Sequence, residues 1–458
     1  MVESVQRAIS ILDKNVYQVT LNGTTYRRTV PSKEFYVHQW LWDSATHAMG
    51  LVYVDEQRAF DELFSLVSGQ WENGLIAQIT FNPNEKKYFP GPEYWGTEKC
   101  ATGEIKTSGI TQPPLLGISF AHVFSHTHSK KLQSRLLLEI LPKVLKYHDY
   151  LKDYRDPENS GLLTVVHPWE TGLDNSPRWD KPLQNIKLAD IPDSVKSLVN
   201  RYRSDDKLGD PRVRPGLDDY YRYMYLVHLF KSWNWDYRVI VKKSPFAVKD
   251  ILFNSLWCES NEALARVLTT IGRNDDALRL KGWADETRQA LRARRDPVTG
   301  YFRDQDVSSA TPTDIGANTI ATFLPLLAEA VDEKDAASTL SLLTDPAQFW
   351  TKTPVASTAL SAKEFDPLKY WRGPTWPITN LFVIEGLRKY AKSPRAQSIR
   401  KELEDKTLSM IDAHGFFEYY DPQNGAARPG KPTPLGFGSF SWSAAIYVYL
   451  TYRRKEVV

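Results

Sequence analysis

The sequence predicts an all-α fold, an (α/α)6 toroid of six inner and six outer helices built from helical hairpins. Three observations carry that expectation. Apolar residues recur at three- and four-residue spacing through almost the whole chain, the period of a helix with one buried face. Apolar–polar alternation, the mark of a strand, is scarce. A turn also recurs: Arg155-Asp156-Pro157 before Gly161, Asp296-Pro297 before Gly300, and Asp421-Pro422 before Gly425. Proline ends a helix because it has no N–H to donate, and glycine supplies the positive φ of a tight return.

In chain order, the helical period covers 43–53, 57–69 and 113–126. It continues over 132–152, LQSRLLLEILPKVLKYHDYLK, which the first Asp-Pro turn follows. It resumes at 218–231 and runs through 247–271 and 275–294 to the second turn. Segments 316–331, 335–343, 376–391 and 396–412 lead to the third, and 441–454 comes last. Eleven long segments and one short one make the twelve that six hairpins need. A helical solenoid would repeat every 30–45 residues or so, and no such period is present. No Gly/Ser tract or charge block divides the chain, so 1–458 reads as one domain. The polar, irregular stretch 178–216 reads as a long loop insertion and a candidate lid over a substrate.

Charge and composition exclude several classes. The chain has 58 Lys and Arg against 55 Asp and Glu, a formal +3, without the basic stripe of a nucleic-acid binder. Charged residues at 25% and hydrophobic ones at 42% fit a soluble globular protein rather than a disordered one. No run approaches the roughly 18 apolar residues of a membrane span. The N-terminal MVESVQRAISILDKN mixes charges through a short apolar run, unlike a signal peptide. Two cysteines, Cys100 and Cys258, rule out a disulfide framework and fit free thiols in a reducing compartment. The expected address is the cytoplasm.

Aromatic content is high, with 14 Trp, 23 Tyr and 19 Phe. Nine of the tryptophans fall in loop-like clusters: Trp40, Trp42, Trp71, Trp95, Trp169, Trp179, Trp371, Trp376 and Trp442. The other five, Trp233, Trp235, Trp257, Trp283 and Trp350, lie on or beside helical stretches, where packing explains them. In the clusters a Trp or Tyr stands beside a carboxylate, Pro or Gly, as in HPWETGLDNSPRWD (167–180) and YWRGPTWP (370–377). Flat faces interleaved with carboxylates and amides suit a carbohydrate, whose C–H faces stack on rings while its hydroxyls bond Asp, Glu, Gln and Arg.

A carboxylate-rich sugar site points to glycoside hydrolysis. One carboxylic acid protonates the leaving oxygen and a second carboxylate acts on the other face of the sugar. An apolar setting keeps an acid protonated near neutral pH. The candidates are Asp43, Glu170, Asp174, Asp180, Glu418 and Asp421, and the residues alone do not choose among them. Asp174 sits in a Gly-Leu-Asp-Asn turn that would expose it, and Glu418 lies between Phe417 and Tyr419. Other chemistries lack their signatures. No zinc spacing, Walker A, dinucleotide fingerprint or G-x-S-x-G elbow occurs. His122 and His126 share one helix face without a third ligand and read as a solvated face. No metal or cofactor is expected.

HPWETGLDNSPRWD, YWRGPTWP, TQPP, QWLWDS, FFEYYDPQNG and FSWSA together resemble the catalytic domain of glycoside hydrolase family 63. Within it the chain is most similar to the compact hydrolases of mannosylglycerate and glucosylglycerate. The likeness runs from residue 36 to about 446. It implies an (α/α)6 barrel with its pocket at one mouth, and metal-free hydrolysis of an α-glycoside with inversion. It implies Asp174 as general acid and Glu418 as general base, their carboxyls about 6.5–9.5 Å apart to admit a water. Tyr36, Trp40, Trp42, Asp43, Gln112, Trp169, Tyr370, Trp371, Gly373 and Trp376 would line the sugar site. A glycerate carboxylate needs a cation, and Arg pairs carboxylates in bidentate fashion. Arg212 or Arg214, with Tyr88 and Tyr221, is the candidate. The expected partner is therefore a small glycoside, with no nucleic acid or membrane, and the reading admits a homo-oligomer. Two alternatives stand beside it: an α-glucosidase of neutral disaccharides such as trehalose or kojibiose-type sugars, which needs no such cation, and a sugar-binding barrel without catalysis.

Overall fold

The computed structural model describes residues 2–21, 23–86, 88–101, 104–203, 213–423 and 436–456. The chain is mostly helical. Its longer helices are α1 (Val2–Lys14), α2 (Leu41–Leu51), α3 (Glu56–Val67), α4 (Leu116–His126), α5 (Leu141–Arg155), α6 (Asp193–Tyr202), α7 (Leu217–Ser232), α8 (Ile251–Thr270), α9 (Asn274–Arg292), α10 (Glu333–Leu343), α11 (Pro377–Lys389), α12 (Pro394–His414) and α13 (Ser441–Arg453).

Six elements close a circle. α13 packs on α2, α2 on α4, α4 on α8, α8 on the 3₁₀ stretch Ile320–Leu326, that stretch on α11, and α11 on α13. Sequence explains which helices lie inside. Every residue of α2 is buried, as a helix without a polar face requires. α2 and α13 approach backbone to backbone, and a side chain on Gly50 would collide with the Ala445 carbonyl. Outside the circle, α1 packs on α13, α3 on α2, α5 on α4, α9 on α8 and α12 on α11. α9 buries Ala277, Leu280, Ala284, Thr287 and Leu291, a one-sided stripe at alternating three- and four-residue steps. Buried apolar side chains from Val5 to Leu450 form one cluster.

The recurring turn has a physical basis. It follows three outer helices, α5, α9 and α12, and returns the chain toward the inner set. Asp156 accepts from the amides of Ser160 (2.8 Å) and Gly161 (3.0 Å), and Asp296 from those of Val298 (2.9 Å) and Thr299 (3.1 Å). Gly161 and Gly300 take φ of 79° and 77°. Gly425 lies outside the described residues.

Three expectations need correction. The segment 316–331 is helical only over Ile320–Leu326, and as 3₁₀, because Pro325 lacks the donor an α-turn needs there. The chain also has strands. Val16–Leu21 pairs antiparallel with Thr24–Thr29, and the Thr29 amide donates to buried Glu62 of α3 at 2.9 Å. Gln39–Trp40 pairs with Ile79–Thr80, and short strands at Val248–Lys249, Gln305–Asp306 and Thr313–Asp314 form a third sheet. The stretch 178–216 is not uniformly irregular. It contains α6, whose Val195 and Val199 join the core with Ile186 and Ile191.

Candidate active site

A pocket of about 920 Å³ opens where the circle presents the N-terminal ends of its helices. Trp40, Trp42 and Asp43 enter it from the start of α2, Gln112 from the approach to α4, Trp371 from the approach to α11, and Phe440 and Trp442 from the start of α13. Loops between the helices add Asp174, Arg214 and Glu418. Six of the nine loop tryptophans line this one space: Trp40, Trp42, Trp95, Trp169, Trp371 and Trp442. None of the five tryptophans assigned to packing does.

The loop carrying Asp174 is held on every side. Tyr223 donates its hydroxyl to the Asp174 carbonyl at 2.8 Å, and the Trp179 indole donates to the Leu173 carbonyl at 2.9 Å. Asn175 accepts from the Trp371 amide at 3.0 Å. Gly172 has φ +74°, and a Cβ there would lie 2.6 Å from the Trp42 ring, so this position needs glycine for both conformation and space. Beneath the loop, buried Arg178 donates to Asp250 and to Asp304, each at 2.9 Å. Burial pushes Asp304 up to about 6, against the opposing pull of Arg178.

Glu418 is buried on the strand-like return after α12. Its amide donates to the Phe437 carbonyl at 3.0 Å, and its carbonyl accepts from the Trp442 indole at 3.1 Å. Its carboxylate Oε1 accepts from the hydroxyls of Tyr36 (3.2 Å) and Tyr370 (3.4 Å). Its Oε2 faces Arg214 Nη2 at 3.6 Å. Among the described residues no hydrogen-bond donor reaches Oε2. A Cβ on Gly436, whose φ is +86°, would lie 2.5 Å from Oε2, so a glycine keeps that space open. Burial raises the Glu418 carboxyl above its ordinary range, with Arg214 and the Tyr36 hydroxyl pulling it down. Burial and then the charge of Glu418 raise Asp43 well above its own.

The six candidate carboxylates divide cleanly. Asp43, Asp174 and Glu418 line the pocket. Glu170 does not: Arg155 binds both of its oxygens, at 3.0 and 2.5 Å, and the amides of Thr111 and Val166 donate to it as well. Asp180 is gripped by both terminal nitrogens of Arg372. Asp421 lies outside the lining, where its Oδ1 accepts from the Gln423 amide at 2.8 Å. The histidines of the loop clusters also hold structure. Burial pushes His38 and His167 down to about 3, and each accepts a backbone N–H on Nδ1, from Asn82 and Trp169 respectively.

Of the predicted binding residues, Tyr36, Trp40, Trp42, Asp43, Tyr88, Gln112, Trp169, Arg214, Tyr370 and Trp371 line the pocket. Three do not. Trp376 stands one layer back, stacked on Trp371 at 3.5 Å between centroids and on Tyr419 at 4.3 Å. Gly373 packs against the Asp366 backbone. Tyr221 turns away and donates to Asn200 at 2.6 Å, while its neighbour Tyr220 lines the pocket. One residue along a helix is a rotation of about 100°, and the sequence left that phase open. Arg212 lies outside the described residues. Phe35, Gln78 and Phe89 also line the pocket and were missed. Phe35 and Phe89 had a visible signal, since each adjoins a tyrosine of a cluster. Among the described residues no group of three His, Cys, Asp or Glu side chains is placed to hold a metal ion, and no helix is long and apolar enough to cross a membrane.

Residues 36–443 match the family model of the mannosylglycerate hydrolase MGH1-like glycoside hydrolase domain. The chain is 35% identical to a mannosylglycerate hydrolase of Thermus thermophilus, over 92% of this chain and 96% of that one. It is 31% identical to a glucosylglycerate hydrolase of Mycolicibacterium hassiacum, over 91% and 92%. The crystal structure of a Thermus thermophilus family 63 mannosylglycerate hydrolase in complex with Tris and D-glycerate superimposes with a TM-score of 0.84 at 33% identity. That match covers 98% of this chain and all of the other.

Proposed function

The chain belongs to the mannosylglycerate hydrolase MGH1-like family of glycoside hydrolases, and on that premise we propose that it releases mannose or glucose from a 2-O-α-glycosyl-D-glycerate with inversion. The helical circle is then the inner layer of an (α/α)6 toroid, and 1–458 one catalytic unit. Asp174, half-buried on its pinned turn, is the general acid. It gives its proton to the glycosidic oxygen as the bond to C1 breaks, so the aglycone leaves as neutral-hydroxyl glycerate. Glu418 is the general base. It takes a proton from the water that attacks C1 from the opposite face, in a geometry that places the two carboxyls about 6.5–9.5 Å apart. A base raised by burial toward the working pH suits proton abstraction.

The observation that carries this reading is the charge pattern of the pocket. Among the described residues three carboxyls, Asp43, Asp174 and Glu418, share an aromatic enclosure with one lining cation, Arg214. Tryptophan and tyrosine faces stack on the sugar, and the guanidinium receives the glycerate carboxylate with help from Tyr88. The unbridged Cys100 and Cys258 support a reducing, cytoplasmic setting. Incubation with each glycosylglycerate, followed by proton NMR, tests the proposal. The first-formed free sugar should be the β-anomer. Failure to turn over either glycoside overturns the substrate, and a first-formed α-anomer overturns inversion.

A further inference from the structure

Arg214 has two allegiances in this pocket. Its Nη2 stands 3.6 Å from Glu418 Oε2, and its Nη1 donates to the Tyr36 hydroxyl at 3.1 Å. Tyr36 in turn donates to the other oxygen of Glu418. The guanidinium lies over Tyr370 at 4.8 Å and near Phe437 and Phe35 at 5.3 and 5.7 Å. Those faces hold a planar cation without neutralising it. Its side chain is only 7% exposed and that of Glu418 1%, so water screens neither charge. Arg214 is also the only Lys or Arg among the described residues lining the pocket. A carboxylate-bearing substrate must therefore share the guanidinium that faces Glu418.

We propose that Arg214 is the specificity-determining residue that couples recognition of the aglycone to the readiness of the base. It is the counter-ion of Glu418 before substrate binds, and it is shared with the substrate carboxylate afterwards. The coupling rests on the reading of Glu418 as base and of the aglycone as an anion. Its physical basis is simple. A nearby cation favours the ionised carboxylate and weakens it as a proton acceptor, while a second anion on the same cation restores its basicity. A 3.6 Å contact without a direct hydrogen bond is long enough to be redirected without breaking a bidentate clamp. Neutral glycosides that fit the aromatic pocket would bind but leave Glu418 with its counter-ion. Discrimination then falls on kcat as well as KM.

The groups that face Glu418 allow the test to be read. Tyr36 and Tyr370 stay protonated, since burial drives both well above the usual phenol range. Tyr419 adjoins it in sequence, and Asp43 and Asp174 share the pocket. Asp43 is raised as well, so the readout must separate it from Glu418. Binding of D-glycerate alone, measured by calorimetry in buffers of different ionisation enthalpy at mildly acidic pH, does so. The wild type should take up protons on binding, and Glu418→Gln should not. Equal uptake in both, or none in the wild type, overturns the coupling.

Kinetics give the second arm. Activity falls as pH drops through the pKa of the base, so the acid limb of kcat/KM reports free Glu418 and that of kcat reports the complex. With an anionic glycoside the kcat limb should lie about one pH unit or more above the kcat/KM limb. With the methyl ester of the same glycoside the two should coincide. Arg214→Met should raise the kcat/KM limb and abolish the difference, and Arg214→Lys should retain part of it. Coincident limbs for the anionic glycoside in the wild type overturn the coupling while leaving hydrolysis intact. Full activity of Glu418→Gln would instead overturn the reading beneath it.

Discussion

The circle of helices has two mouths, lined by opposite ends of the same elements, and their chemistry differs. At the C-terminal ends of α4, α8, α11 and α13 lies the larger cavity, about 1570 Å³, rich in charge. Its cations are matched. Arg266 and Lys389 both hold Glu259, at 2.9 and 2.6 Å. Arg388 holds Glu385 and Glu404, at 3.3 and 2.8 Å, and Arg453 holds Glu456. Cations also suit helix C-termini, where unsatisfied carbonyls concentrate negative potential. The N-terminal mouth is smaller and largely aromatic. Among the described residues three carboxyls there stand against one arginine, and burial raises two of them. Cavity size is thus a poor guide to function in this molecule. At one mouth of the circle cations and carboxylates are paired one against another, while at the other carboxyls outnumber the cation beneath aromatic cover among the described residues.

The strongest way to break this contrast is to neutralise carboxyls. Asp174→Asn and Glu418→Gln should each lower kcat by about 10²- to 10⁴-fold, the range of general acid–base catalysis, with the thermal midpoint nearly unchanged. Glu385→Gln at the other mouth should leave kcat within about twofold, since Glu385 pairs with Arg388 and lies outside the aromatic pocket. Steady-state kinetics and thermal unfolding on the three proteins check this. A comparable loss of kcat in Glu385→Gln would erase the distinction between the mouths.

A second test asks whether charge at the N-terminal mouth is ever structural. Arg178→Met leaves Asp250 and Asp304 buried without their cation, and breaking such a cluster costs about 3–5 kcal/mol. Chemical denaturation at neutral pH should show that loss, and kcat should fall as the Asp174 loop loosens. The sign of the pH dependence follows from Asp304, already held at about 6 with the arginine present. An acid raised in the folded state favours folding while protonated and loses that contribution as pH rises through its folded value. Without the arginine that carboxyl is raised further, so the deficit of Arg178→Met should shrink as pH falls from neutral toward about 6. A deficit that grows with acid would show that the carboxylates have another partner.

Arg178 also marks where reading the sequence stops. Helix periods are local, so α9 was expected at 275–294 and lies at Asn274–Arg292. Proline chemistry is local too, yet the period of 316–331 outweighed Pro325. α6 was overlooked because its apolar face is narrow and its surroundings are polar. The pocket's aromatic character was legible because each tryptophan cluster carries it in a few consecutive residues. Which of the six candidate carboxylates enter it was not. Asp180 is removed from candidacy by Arg372, 192 positions away, and Glu170 by Arg155 acting across a turn. Long-range ion pairs leave no trace in spacing. The same holds for the meeting of Arg214 and Glu418, which the sequence assigned to separate tasks.

The smallest expected effect sharpens the contrast at its other end. Arg266 contributes to the C-terminal mouth, but its side chain is 58% exposed and its partner Glu259 keeps Lys389 as a second cation. Solvent screens such a pair, so Arg266→Ala should cost no more than about 1 kcal/mol. The cost should also diminish between low and physiological salt, because added ions screen what remains. Denaturation at two ionic strengths measures both quantities, and kcat should not move. Glu259 would stay compensated by Lys389, so no charge is left buried alone, in direct opposition to Arg178→Met, where two are. A loss of several kcal/mol independent of salt would mean that Arg266 acts through packing of its stem, and that this mouth depends on shape rather than on matched charge.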